Sequence, residues 1–112
     1  MPVQSCSWPA RLSSSLNSRI HWSVRAKTAK AEREQAALMC RFKLTVPRFP
    51  CVVRLTRVGP RKLDSDNVQG CFKATRDGIA DWLQVNDGDE SLVRWEYGQE
   101  RGAYSVRVEV IS

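Results

Sequence analysis

Val68, Phe72, Thr75, Ile79, Trp82 and Leu83 recur at helical intervals, which marks one apolar face that has to be buried against something. The stripe predicts a helix over Val68–Leu83, with Asp66 or Asn67 as a good N-cap ahead of it. What it packs on is suggested by its neighbours. Cys51–Val58, CVVRLTRV, reads as a strand directly before the helix, and Val93, Trp95 and Tyr97 alternate with Arg94 and Glu96 directly after it. A helix flanked by strands calls for a sheet.

The remaining segments extend that plan. Ser23 to about Cys40 is rich in Ala, Lys, Arg, Glu and Gln without Gly or Pro, which favours a second helix. Phe42, Leu44 and Val46 then alternate, as either a short strand or a continuation of that helix. Val3–Trp8 reads as an edge strand followed by a loop, because Pro9 and Ser13–Ser15 follow it. Tyr104, Val106, Val108 and Val110 alternate with Ser105, Arg107 and Glu109. With Gly98–Gly102 as a turn, this last strand is expected beside the preceding one as an antiparallel hairpin. Trp8 and Trp22 are expected to cover the core. With 112 residues, 42% of them hydrophobic, the chain suits one domain with a modest core that dimerisation would help to stabilise. The fold class expected is a small single α/β (α+β) domain with a mixed sheet and two main helices. Strand order is not fixed by pattern.

Charge narrows the partners. Lys and Arg number 18 against 12 Asp and Glu, and several of the acids are clustered, so the remaining surface is basic and favours a polyanion. Arg25, Lys27 and Lys30 precede any acid on the first helix, and Arg54, Arg57, Arg61 and Lys62 flank the acidic stretch, where phosphates would approach. Cys6, Cys40, Cys51 and Cys71 form no C-x-x-C pair, and His21 is the single histidine, which disfavours zinc. No apolar run suggests a signal peptide or a membrane span, so reduced thiols in a cytoplasmic protein are expected.

The chemistry concentrates between Arg61 and Asp89. Asp64 and Asp66 are two apart, so on an extended backbone both carboxylates would leave on the same side and offer hard oxygen ligands to one cation. Lys73 and Asp77 share a polar stripe one turn apart on the predicted helix, with Asp81 below them. Asn86-Asp87-Gly88-Asp89 reads as a turn carrying two more carboxylates back past the helix end. Four to six acids could thus converge, which is tolerable when a divalent cation neutralises them. Taken one at a time, these residues suit a cap, a surface pair and a turn. Jointly they do not, because a cap needs no second acid. The run D-S-D-N is a poor EF-hand, lacking the glycine and closing glutamate of that loop.

The pattern Asp64-x-Asp66-Asn67, then Lys73-x-x-x-Asp77, then Asp87 after the helix resembles the RusA-like Holliday-junction resolvases, small dimeric Mg²⁺-dependent endonucleases often found in phages and prophages. Ser15-Leu16-Asn17 resembles the Ser-x-Asn after that family's first strand. The resemblance implies a RusA-like fold, a homodimer, and Mg²⁺ held by Asp64, Asp66 and Asp87, with Asp77 or Asp89 in reserve. It also implies Lys73 as the catalytic cation, Asn17 and Asn67 as site-lining residues, and paired hydrolysis of four-way DNA in recombination and repair. One position departs from the family. Its lysine usually stands one turn after the second aspartate, where this chain has Gly70, so Lys73 would have to reach back over it. Two other readings follow from the same residues: a non-catalytic DNA-binding protein of this fold, and a Mg²⁺-dependent nuclease acting on other branched DNA.

Overall fold

The computed structural model describes residues 2–12 and 22–112. Along the chain it forms β1 (Val3–Pro9), α1 (Trp22–Lys43), β2 (Cys51–Gly59), α2 (Ser65–Cys71), α3 (Lys73–Leu83), β3 (Val93–Arg101) and β4 (Ser105–Ile111). The four strands make one mixed sheet in the order β1-β4-β2-β3, so the expected α+β class holds.

The expected hairpin does not. β3 pairs in parallel with β2, from Cys51↔Val93 to Gly59↔Arg101, and β4 pairs antiparallel with β2 on its other side. β2 therefore lies between the two arms that the alternating pattern suggested were neighbours. Burial accounts for this: β2 hides Cys51, Val53, Leu55, Thr56 and Arg57, whereas β3 fully buries Val93 alone. The more buried strand takes the interior position and the half-polar strand takes the edge. The link from β3 to β4 crosses the end of β2, where Gly102 N–H donates to the Gly59 carbonyl at 3.0 Å. β1 is the other edge, antiparallel to β4, as expected.

All three helices share one face of the sheet. The core joins Cys6, Trp8, Val53, Leu55, Val106, Val108 and Val110 of the strands to Ala36, Cys40, Phe72, Ile79 and Leu83 of the helices. The opposite face carries ion pairs, Arg54 with Glu96 and Arg107 with Glu100. α1 and α3 approach so closely at Gly78 that a methyl there would overlap the Arg33 carbonyl, and only glycine permits that contact. Trp8 is buried as expected, but Trp22 is 72% exposed at the start of α1.

One open alternative is decided, in favour of the helix continuing, and one local expectation is corrected. α1 runs on to Lys43, and no strand forms at 42–46. Leu44 N–H still donates to the Cys40 carbonyl at 2.9 Å, and the Gln4 amide brackets Thr45, donating to its carbonyl at 2.8 Å and accepting from its N–H at 2.9 Å. A side chain thus satisfies the backbone that a strand ladder would have satisfied. The helix expected over Val68–Leu83 already begins at Ser65 and is interrupted at Phe72 (φ −92°, ψ −1°). Phe72 N–H bonds to the Gln69 carbonyl at 3.2 Å, a tightened turn next to Gly70, which holds a helix poorly. The apolar stripe survives the break: Val68, Phe72, Thr75, Ile79 and Leu83 are buried, with Trp82 half-buried. Among the described residues, no helix is long and apolar enough to cross a membrane.

Candidate active site

β2 ends at Gly59, and the loop from Pro60 to Leu63 delivers the chain to Asp64. Two side chains fix that loop. Arg57 is 7% exposed and its Nη1 donates to the Arg61 carbonyl at 2.8 Å. Gly59 makes room for it, since a Cβ there would lie 2.7 Å from Arg57 Nη2. From β3, Gln99 takes both backbone groups of Leu63: Oε1 accepts its N–H at 2.9 Å and Nε2 donates to its carbonyl at 2.7 Å.

Asp64 stands at the N-cap of α2 with extended backbone (φ −63°, ψ 154°), and its carbonyl accepts Val68 N–H at 2.9 Å. Its side chain makes no capping bond. Asp66 is already in the first helical turn. The alternation expected of an extended segment is therefore replaced by a helix start: both acids flank the α2 N-terminus, which favours negative charge. Both are exposed, and neither takes part in an ion pair among the described residues.

The other acids are committed. Arg76 Nη2 donates to the Asp87 carbonyl at 2.6 Å and Nη1 to the Tyr97 hydroxyl at 2.7 Å. Its buried Nε lies 3.3 Å from Asp87 Oδ2, near enough for charge attraction but off hydrogen-bond alignment. Trp95 donates from Nε1 to the same Asp87 carbonyl at 3.0 Å, and its ring lies 4.8 Å beneath the guanidinium. The turn does carry Asp87 back past the helix end, but into an arginine. Asp81 receives two bonds from Arg33, at 2.6 and 2.8 Å, and they hold its carboxyl below the usual range. Asp77 lies 3.7 Å from Lys73 Nζ, and Asp89 accepts the Ser91 N–H at 3.0 Å. No group of three His, Cys, Asp or Glu side chains able to hold a metal forms among the described residues. The expected convergence of four to six carboxylates is thus absent there, because Arg33 and Arg76 are interleaved with the acids.

Lys73 is the first residue of α3, beyond the break at Phe72, and its side chain is 80% exposed. The continuous helix that would align it over Gly70 is not formed, since the run breaks at Phe72. Among the basic residues, Arg61 and Lys62 are exposed just before Asp64. A cavity of about 380 Å³ lined by Gly59, Lys62, Gln99, Glu100 and Arg101 adjoins them. Arg57 is buried behind that loop, while Arg54 is on the far face of the sheet, 2.9 Å from Glu96. Arg25, Lys27 and Lys30 are exposed on α1, with Lys30 3.9 Å from Glu34. Asn67 is half-buried in the first turn of α2, and Asn17 lies outside the described residues. Sequence pattern missed Arg33, Arg76 and Gln99. Arg76 alone carried a signal, as the cation one residue before Asp77 in an acid-rich helix.

The donor set suits a hard divalent cation that keeps most of its own waters. Two exposed carboxylates suit Mg²⁺, which keeps several waters and is commonly held by one or two carboxylates together with substrate phosphates. They would not make a cage for a cation that needs a full set of protein ligands.

No known family profile matches this chain. It is similar to an uncharacterized protein of Xylella fastidiosa, 37% identical over 90 residues, which are 71% of this chain and 56% of that protein. The chain thus spans little more than half the length of the relative it matches.

Proposed function

We propose that the protein is a Mg²⁺-dependent, structure-specific endonuclease acting on four-way DNA in recombination and repair, in the manner of the RusA-like resolvases it resembles. The observation that carries this reading is two exposed aspartates at the start of α2, Asp64 and Asp66, outside every ion pair among the described residues and separated only by Leu63 from the exposed Arg61 and Lys62. Every other aspartate between them and Ser91 has a cation or a backbone N–H to hold it.

Asp64 and Asp66 would hold the metal. Bound there, Mg²⁺ supplies an acidified water and charge relief on the phosphoryl oxygens. The chain's own residues do the rest. Arg61 and Lys62 anchor phosphates beside the carboxylates, by charge and without reading sequence. The exposed cations of α1, Arg25, Lys27 and Lys30, extend that basic surface. Lys73, on its long stem, offsets charge that builds at the phosphoryl group. Asp87 serves first as the partner of Arg76 and joins the site only where Arg76 releases its carboxylate. A homodimer would present two such sites to strands of like polarity. Four buried, unbridged cysteines suit the reducing cytoplasm.

A second reading is favoured by one observation. With Lys73 beyond the helix break and no three-acid group among the described residues, the protein could bind branched DNA without cutting it. Labelled four-way junction, flap and linear duplex, each incubated with Mg²⁺ and then with EDTA, separate the two. Mg²⁺-dependent incision of the junction is expected, and incision of the flap alone would point to other branched DNA. Binding without incision of any substrate would contradict the nuclease.

A further inference from the structure

We infer that Gln99 is a positioning residue that sets the metal affinity of the Asp64–Asp66 pair, an inference that rests on the proposal that this pair binds Mg²⁺. Leu63 lies beyond the end of β2, in a loop where no strand pairing among the described residues satisfies its backbone. Gln99 fills that gap from β3 with the same two bonds that a strand would offer, one accepted at 2.9 Å and one donated at 2.7 Å. Its primary amide carries both a donor and an acceptor, so a single side chain completes the pair.

The next residue is Asp64. On its C-terminal side the backbone is fixed by the Val68 N–H bond to its carbonyl, and on its N-terminal side by the bracket around Leu63. The Asp64 carboxylate makes no capping bond of its own. The direction in which the Asp64 side chain leaves the main chain is therefore set by backbone held at both ends, and Gln99 holds one of them. Gln99 also lines the cavity shared with Lys62, so it sits at the rim of the proposed site. It acts through Leu63 on Asp64, as outer contacts act on metal ligands elsewhere, where their loss costs about 10- to 100-fold in affinity.

Two variants test this. Gln99→Met keeps length and removes both bonds; Gln99→Asn keeps the amide but is one methylene too short to span to Leu63. Mg²⁺ is titrated into wild type and variants while the amide shifts of residues 64–67 are followed by NMR. Melting temperature, junction affinity in EDTA and Leu63 amide exchange are measured alongside. The expected result is faster Leu63 exchange in both variants and a half-saturating Mg²⁺ concentration raised about tenfold or more. Cleavage should be recovered at high Mg²⁺, with junction affinity unchanged. Earlier melting with wild-type Mg²⁺ half-saturation would mean that Gln99 only stabilises the fold, and the inference would be overturned while the nuclease reading stands. Absence of Mg²⁺-dependent shifts at residues 64–67 in wild type would instead overturn the metal pair itself, and the Gln99 inference with it.

Discussion

Asp64 and Asp87 bracket the same helical run, one before α2 and one after α3, and sequence pattern gives them the same task. Their surroundings differ. Asp64 is held only through its backbone, by Gln99 acting on Leu63 and by the first turn of α2, and its carboxylate is exposed. Asp87 is gripped at its carbonyl by Arg76 and Trp95 and at its carboxylate by the charge of Arg76. An acid whose backbone is fixed and whose side chain is spare suits binding something; an acid whose charge is already compensated suits holding a loop against a helix. The difference teaches that acids close in sequence converge on a cation only when the folded chain leaves them without arginines of their own.

The largest expected effect separates these two by readout. Asp64→Asn or Asp66→Asn should lower single-turnover cleavage by at least about 100-fold while the fold is little affected, within about 0.5 kcal/mol, as for other surface changes. Asp87→Asn should lower thermal stability as well, because it strips the charge facing Arg76. Equal losses of stability in all three variants would erase the distinction.

Arg76→Met sharpens the comparison from the other side. It removes the donors to Asp87 and Tyr97 and should cost about 2 kcal/mol, the scale of hydrogen bonds made by charged groups, in urea unfolding. If Asp87 then becomes available, Mg²⁺ should bind the variant at least as well as wild type. A variant as stable as wild type would show that the Arg76 grip contributes nothing.

Replacing Arg61 and Lys62 together by Ala should leave stability alone and flatten the dependence of junction affinity on salt by about 0.9 in log–log slope for each phosphate that is no longer neutralised. An unchanged slope would shift the DNA surface to α1, with Arg25, Lys27 and Lys30.

Much of this architecture was legible in sequence, for physical reasons that also set the limit. The stripe from Val68 to Leu83 announced a buried helix face because burial repeats with the helical period, and it stayed buried despite the break at Phe72. The swap that puts β2 between β3 and β4 was not legible. Alternation reports which side of a strand is buried and nothing about which strand lies beside it. The exposed pair Asp64–Asp66 was legible as residue types, whereas Arg33 meets Asp81 across 48 residues of sequence, which no local spacing encodes. Gln99 gave no signal either, since a glutamine within an alternating strand looks like any half-polar position.

The smallest expected effect concerns acid. Arg33 holds Asp81, and Arg107 holds Glu100, below their usual carboxylate ranges through hydrogen bonds. A carboxyl depressed in the folded state stabilises above its unfolded pKa, and that contribution is lost as pH falls through the folded value. Stability should therefore decline below about pH 4. Arg33→Gln should make the decline slightly shallower; the pair is solvent-exposed, so the change is small.

The most direct test of the open-versus-committed account is paramagnetic broadening by Mn²⁺, standing in for Mg²⁺, across the amides of the wild-type protein. The account predicts that substoichiometric Mn²⁺ broadens Asp64, Ser65, Asp66 and Asn67 first, leaves Asp81 sharp, and reaches Asp87–Asp89 only at higher concentration. Broadening that begins at Asp87–Asp89, or that spares residues 64–67, would contradict it.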